Sequence, residues 1–468
     1  MKKFLIASAT LIMLLLIAYF AYFKYRQIQA NRILIPSNTT AVIKINVDEL
    51  LKTLAISYLK HSKEYDASNE KKLKQNITDL KTGLDIPASI YLYSLNGKDK
   101  TTFFTTFKIS DSVTFKHFVE KEVSKKLSKK SASYFLSGDS TLSIRFNGEA
   151  VALAFAPRKD VTINDLTDVL NSKNGVKVGT SAFAQLTNLS DHVSFQNKES
   201  ISKMNFADGK IEFGSEFTST AIEPALKPMH RILSPESTMS LWVNAKYKAD
   251  LKDGAQKGSA PTLSPSLLKN FYKDYIDVEW LNAIKQVDTV VGYEYNDNFE
   301  RVEKKILQDN MVPNFAINMD ADEVATTNYL EKYGFLNSAT GKLQAPLIPL
   351  FSFYFKANQG HIQLSTLKTK SLTVKKEASN DFFYFKLDFT KLINQQPFNL
   401  LKSKLNIFKI VEIRARAEEK GKIKVNSELT FTNENANALI QILNLAEGGL
   451  GSFSNPNLNL KVIPPNLK

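Results

Sequence analysis

Short stretches in which apolar and polar residues alternate run through most of the chain, and a period of two residues marks a strand with one buried face. In the first half they lie at residues 42–46, 89–95, 102–109, 134–136, 141–146 and 150–156. Gly138-Asp139 and Asn147-Gly148 separate the last three, and Asn-Gly is a strong hairpin signal. In the second half the pattern predicts strands at 289–295, 315–319, 350–355, 361–365, 382–388, 409–415 and 422–431. The period lengthens toward 3.6 at 48–61, with Leu50, Leu51, Leu54 and Tyr58 on one face, at 69–81 and at 113–130. A helix is also predicted at 323–333, with shorter apolar ones near 224–233 and 435–445. Residues 254–266, rich in Gly, Ser and Pro, read as a loop, and the chain after Leu445 as a loosely ordered tail. Strands joined by local turns, with helices grouped between them, predict an α+β fold of antiparallel sheet with packed helices, not a parallel βαβ sheet.

One stretch has no polar alternation. From Phe4 to Phe23 the chain carries no charge, and at about 1.5 Å per residue this run spans roughly 30 Å, the thickness of a bilayer core. Lys2 and Lys3 precede it, Lys24, Arg26 and Arg32 follow, and Tyr19, Tyr22 and Tyr25 cluster where an aromatic belt lies. The run ends in Tyr22-Phe23-Lys24-Tyr25, which is poor for signal cleavage. Residues 1–31 are therefore expected to be an uncleaved transmembrane signal anchor. The membrane is then a partner through residues 4–23, and the bulk of the chain lies on the extracytoplasmic, periplasmic side of an inner membrane.

The rest of the chain repeats itself. Arg32-Ile33-Leu34-Ile35-Pro36 recurs as Arg231-Ile232-Leu233-Ser234-Pro235, each ahead of a turn and a strand ending at Asn46 or Asn244. Phe107-Lys108-Ile109-Ser110-Asp111 and Ile317-Asn318-Met319-Asp320-Ala321-Asp322 each lead into a helix. Gly209-Lys210-Ile211-Glu212-Phe213-Gly214-Ser215-Glu216-Phe217-Thr218 matches Gly421-Lys422-Ile423-Lys424-Val425-Asn426-Ser427-Glu428-Leu429-Thr430. Three markers in the same order predict two tandem, similar modules, 32–230 and 231–468.

Composition narrows the chemistry. The 468 residues include no cysteine, which excludes disulfides, Cys-ligated zinc, iron–sulfur clusters, a thiol nucleophile and an acylated N-terminal Cys. The net charge of +14 is spread along the chain instead of forming a stripe or tail, so no nucleic-acid partner is expected. The histidines, at 61, 117, 192, 230 and 361, form no i, i+4 pair, and no metal or cofactor is expected. Asp320-x-Asp322-Glu323 reads as a helix cap before a cation site. Gly334 and Gly341-Lys342 have the wrong spacing for a phosphate loop. Ser57-x-x-Lys60 and Ser266-x-x-Lys269 have the spacing of serine–lysine acyl enzymes without the companion motifs. The candidate site residues are Lys121, Lys125, Lys126, Lys129 and Lys130, read as the basic face of the helix 113–130 and as a contact for an anionic surface.

Leu34-Ile35-Pro36-Ser37-Asn38-Thr39-Thr40-Ala41-Val42-Ile43-Lys44-Ile45-Asn46, followed by a helix and by Gly83-Leu84-Asp85-Ile86-Pro87, resembles a family of Bacteroidota envelope proteins without an assigned activity. The resemblance implies an N-terminal anchor and tandem α+β repeats; the lipobox Cys of many relatives has no counterpart here. A membrane-anchored, non-enzymatic protein that binds an envelope protein, lipid or glycan is the expectation. The alternative is an envelope hydrolase with a dispersed active site.

Overall fold

A computed structural model describes residues 21–65, 81–171, 175–248, 271–297, 299–344, 351–368, 375–396 and 398–453. The apolar run up to residue 20, all but the last residue of the helix expected at 69–81, the loop 254–266, Ser266 and Lys269, and the tail beyond 453 lie outside them. The chain divides into a first unit, Met1–Asp208 with Phe213–Phe217, and a second, Gly209–Glu212 with Thr218–Lys468.

In the first unit a helix over residues 21–30 (α1) leads into β1 (Leu34–Pro36) and β2 (Thr39–Asn46), then α2 (Val47–Lys60), β3 (Ser89–Leu95) and β4 (Phe103–Lys108). Helix α3 (Ser112–Phe118) follows, capped by Asp111, whose carboxylate accepts from the N–H groups of Val113 and Thr114. A meander comes next: β5 (Ser128–Ser131), β6 (Tyr134–Leu136), β7 (Leu142–Phe146) and β8 (Ala150–Phe155). Helix α4 (Ile163–Asn171), β9 (Gly175–Lys177), β10 (Val193–Asn197), β11 (Ser200–Ala207) and the Phe213–Phe217 part of β12 (Lys210–Thr218) complete the series. Ladders order the strands β11-β10-β2-β3-β4-β8-β7-β6-β5, all antiparallel. Val42, Tyr91, Tyr93, Phe104, Ala152 and Ala154 point from this sheet into a core closed by Leu166 and Val169 of α4 and by Val178, Phe183 and Leu186. Phe115, Val119 and Val123 pack with Phe135 and Val151 in a second cluster. Gly83 makes the turn beneath α3 with φ of +69°; a Cβ there would sit 2.5 Å from the Asp111 carbonyl oxygen and the Phe115 nitrogen, so only glycine fits.

The second unit runs β13 (Ile222–Pro224), β14 (Met229–Arg231), β15 (Met239–Tyr247), β16 (Tyr272–Tyr295), β17 (Arg301–Ala321), α5 (Glu323–Lys332), β18 (Leu336–Asn337), β19 (Lys342–Leu343), β20 (Tyr354–Asn358) and β21 (His361–Ser365). It continues with β22 (Lys376–Ala378), β23 (Phe383–Asp388), α6 (Phe389–Leu392), β24 (Phe408–Ala417), β25 (Lys422–Phe431) and α7 (Ala438–Phe453). Its ladders order the strands β24-β23-β15-β16-β17-β21-β20-β19-β18, again antiparallel. This is the order of the first unit strand for strand: β15 stands for β2, β16 for β3, β17 for β4, and β21 to β18 for β8 to β5. The small β1–β9 ladder has its counterpart in β14–β22. The helix after the fourth strand also recurs, α5 being capped by Asp322 as α3 is by Asp111, and it covers Phe335, Leu343, Phe353, Phe355 and Ile362.

Several expectations change. The helix expected at 113–130 is helical to Lys126, α-helical over Ser112–Phe118 and Ser124–Lys126 with a π-helical stretch at Val119–Val123 between them, and Ser128–Ser131 is strand. β5 carries this stretch because its backbone completes the ladder on β6. Residues 224–233 hold the last residue of β13 and the whole of β14, not a helix, whereas α7 runs on past Leu445 to Phe453. On α2 the inward residues are Asp48 and Ser57, while Leu51, Ile56 and Leu59 are exposed. The strands expected at 289–295 and 315–319 are parts of one long hairpin, β16–β17.

Candidate functional site

The hairpin β16–β17 carries a run of exposed apolar side chains. β15 pairs β16 only from Tyr275 to Trp280, and β21 pairs β17 only from Ala316 to Asp320. The Gln286 amide ties the neck, donating to the carbonyls of Ser352 and Thr366 and accepting from the Ser352 N–H. Beyond it, Val287–Tyr295 and Arg301–Asp309 pair only with each other among the described residues, a ribbon of nine residue pairs and about 30 Å. Tyr293, Tyr295, Leu307 and Val287 lie on one face and Val302 and Ile306 on the other, with Phe299 at the tip; Leu307 is 73% and Phe299 86% exposed. Arg301 over the Tyr293 ring at 3.6 Å, and Lys304 on Glu294 at 2.6 Å, stiffen the ribbon across its strands. Its two edges keep their outward backbone donors and acceptors, which is how a sheet recruits another chain. The sequence carried a partial sign of this, the Asn296-Asp297 turn after an aromatic strand; the charges in Glu303-Lys304-Lys305 concealed the returning strand.

A cleft of about 340 Å³ opens in the same unit, lined by His230, Trp242, Tyr384, Lys386 and Arg414 and by serines 234, 237, 240 and 379. Register makes its wall: Trp242 is opposite Tyr384, and Tyr384 opposite Arg414, on successive strands. His230 stacks on Trp242 with ring centres 4.6 Å apart, and Arg414 lies over Tyr384 at 4.8 Å. The planar groups thus cover each other's faces in pairs. Nδ1 of His230 donates to the Arg231 carbonyl and Nε2 lies 3.5 Å from Glu377, so both nitrogens are engaged. Burial pushes the Tyr384 hydroxyl up to about 12.

Behind the cleft lies a charge cluster. Arg231 donates to Asp277 at 2.8 Å and to Glu279 at 3.4 Å; Asp277 is fully buried and Glu279 is 2% exposed. Glu279 also accepts from Ser234 N–H and the Ser237 hydroxyl, and Asp277 from the Tyr275 hydroxyl. Asp320 bonds both His361 and Lys376, and Asp322 caps α5 by accepting from the Ala325 N–H. Ser57 hydrogen-bonds the Tyr65 hydroxyl, and Lys60 is an exposed residue at the end of α2. In the first unit the buried cation is Lys44, whose ammonium donates to the carbonyls of Leu186 and Leu189 at 3.1 and 2.8 Å. Burial lowers its pKa to about 8.

Lys121, Lys125, Lys126, Lys129 and Lys130 are all exposed, but not on one helix face. Lys121 lies in the π-helical turn, Lys125 and Lys126 in the turn after it, and Lys129 and Lys130 on β5. β5 is the outermost strand of its sheet, with all four residues exposed, and edge lysines keep such strands from pairing with another molecule. Lys129→Val/Lys130→Val is therefore expected to self-associate at concentrations where the parent does not, read by light scattering after gel filtration.

No protein-family model matches the chain, and no curated protein sequence matches it. A solved structure described as "Structure of crystal form I of TP0453" is similar over 40% of this chain and 77% of its own, at 10% identity and a TM-score of 0.24. That level of likeness assigns neither fold nor function.

Proposed function

We propose that the chain is a membrane-anchored, extracytoplasmic envelope protein with a non-enzymatic binding or assembly role, built by duplication of one α+β module. The observation that carries the binding role is the β16–β17 ribbon. Exposed aromatic and aliphatic side chains on a stiff strand pair with open edges are costly in a monomer and useful for engaging another protein. The matching ladder order of the two units supports duplication. The anchor rests on the apolar run 4–23, and no helix among the described residues is itself long and apolar enough to cross a membrane. The resemblance of residues 34–46 and 83–87 to Bacteroidota envelope proteins agrees with this setting. The exposed lysines offer an anionic surface a weaker, salt-sensitive contact.

The test is affinity purification of the full-length protein from gently solubilised membranes, beside the ribbon variant Tyr295→Ser/Leu307→Ser. A near-stoichiometric partner recovered with the parent and lost with the variant is the expected result. Equal recovery with both, or none with either, would remove the ribbon as the binding element.

A further inference from the structure

Helix α1 does not tether the first unit loosely; it is bolted to it. The Arg26 guanidinium forks onto Asp48, with Nε and Nη2 donating to the two carboxylate oxygens at 3.1 and 3.0 Å, and Nη2 also reaches the Ile86 carbonyl at 3.2 Å. Asp48 is 5% exposed, so this pair is held within the unit. The Gln27 amide donates to Asn46, which caps α2, at 2.9 Å and accepts from Ser89 at 3.0 Å. One turn further on, Asn31 accepts from the Tyr91 hydroxyl at 2.6 Å, and Ala30 is buried. From Asn31 back to Arg26 the partners pass from Tyr91 to Ser89 to Ile86. The helix therefore follows β3 backward and leaves the sheet at the end where α2 begins.

Phe23, the last residue of the apolar run, precedes Arg26 by three residues, about 5 Å along a helix. Residues 21–30 are continuously helical and contain neither Gly nor Pro, so no hinge separates the run from the clamp. Ile86, Tyr22 and Tyr25, each more than half exposed, lie at this end, where aromatic and aliphatic side chains suit the boundary between headgroups and acyl chains. Resting on the reading of residues 4–23 as a membrane span, we infer that α1 is a rigid strut. It fixes the first unit with its Asn46–Ile86 end against the lipid surface, Ile86 dipping into the headgroup layer and the Leu95 end of β3 pointing away. The partner of this surface is the bilayer itself.

Because the chain has no cysteine, single labels can be placed cleanly. Full-length Ile86→Cys and Asn96→Cys, labelled with a small fluorophore, are reconstituted in phosphatidylcholine vesicles containing a spin-labelled lipid quencher. The two sites lie beyond opposite ends of β3, whose seven residues separate them by more than about 20 Å. Strong quenching at position 86 with none at 96 is the expected result. It is lost when a Gly/Ser insert of about six residues between Lys24 and Tyr25 frees the strut while leaving every clamp bond in place. Arg26→Ala/Gln27→Ala, checked for folding by circular dichroism, gives the same loss. Equal quenching at both sites, or quenching unaffected by the insert, in protein that resists alkaline carbonate extraction overturns the strut and leaves the anchor standing. Complete extraction by carbonate overturns the anchor and the strut with it.

Discussion

Arg231→Met is expected to destabilise the second unit by about 3–5 kcal/mol, the cost of stranding buried carboxylates without their cation. Arg231 is 6% exposed and its guanidinium bonds both Asp277 and Glu279. Methionine matches the stem but supplies none of the donors that Asp277 and Glu279 now receive. Arg231→Lys keeps the charge but loses the two-nitrogen grip on Asp277, and belongs between parent and Met variant. Both tryptophans of the chain, Trp242 and Trp280, lie in the second unit, so tryptophan fluorescence during urea unfolding follows that unit alone. A lowered urea midpoint for Arg231→Met, with Arg231→Lys intermediate, is the predicted outcome. An unchanged midpoint would show that water reaches the cluster and replaces the guanidinium.

The first unit should gain stability as pH rises from about 8 to about 10, by up to about 3 kcal/mol. Lys44 has its pKa lowered to about 8 in the folded unit because burial penalises the ammonium, while in the unfolded chain it titrates near the ordinary lysine value. Below pH 8 the group is charged in both states and the folded unit bears the whole desolvation cost. Between the two pKa values the unfolded chain binds more protons, so unfolding becomes harder as pH rises. Above about pH 10 the sign reverses through Tyr91 and Tyr93, whose hydroxyls burial pushes up. The unfolded chain releases those protons first, and stability falls. Scanning calorimetry of the parent and of Lys44→Met across pH 7–11 checks this. The Met variant should lose the rise between 8 and 10 and keep the fall above it; an identical rise in both would place its origin elsewhere.

The two buried charge sites show where local pattern ends. In Ala41-Val42-Ile43-Lys44-Ile45-Asn46 the alternation announces a strand, and apolarity alone would send Ile43 and Ile45 inward. The folded chain buries Val42, Lys44 and Asn46 instead, leaving Ile43 and Ile45 half-buried. The carbonyls that receive the lysine belong to Leu186 and Leu189, more than a hundred residues away, and nothing near position 44 signals them. Arg231 was legible as part of a repeated segment; its partners on β16 were not, because the first half of that strand falls outside the recognised alternation. Likewise Lys129 and Lys130 left the expected helix because a ladder on β6 offered their backbone a better place than continued helix.

Alone, the sequence determined the α+β class, most strand positions, the capping of α3 and α5 by Asp111 and Asp322, and the order of the repeated markers. These follow from interactions between residues a few positions apart: side-chain periodicity, turn chemistry and a carboxylate beside free N–H groups. Tertiary structure decided which face of β2 is buried, where Arg231 and Lys44 find partners, that α1 is clamped to β3, and that β16–β17 outruns its neighbours as an exposed ribbon. Each of these depends on strand register and on groups distant in sequence, and a one-residue shift of register would reverse every face.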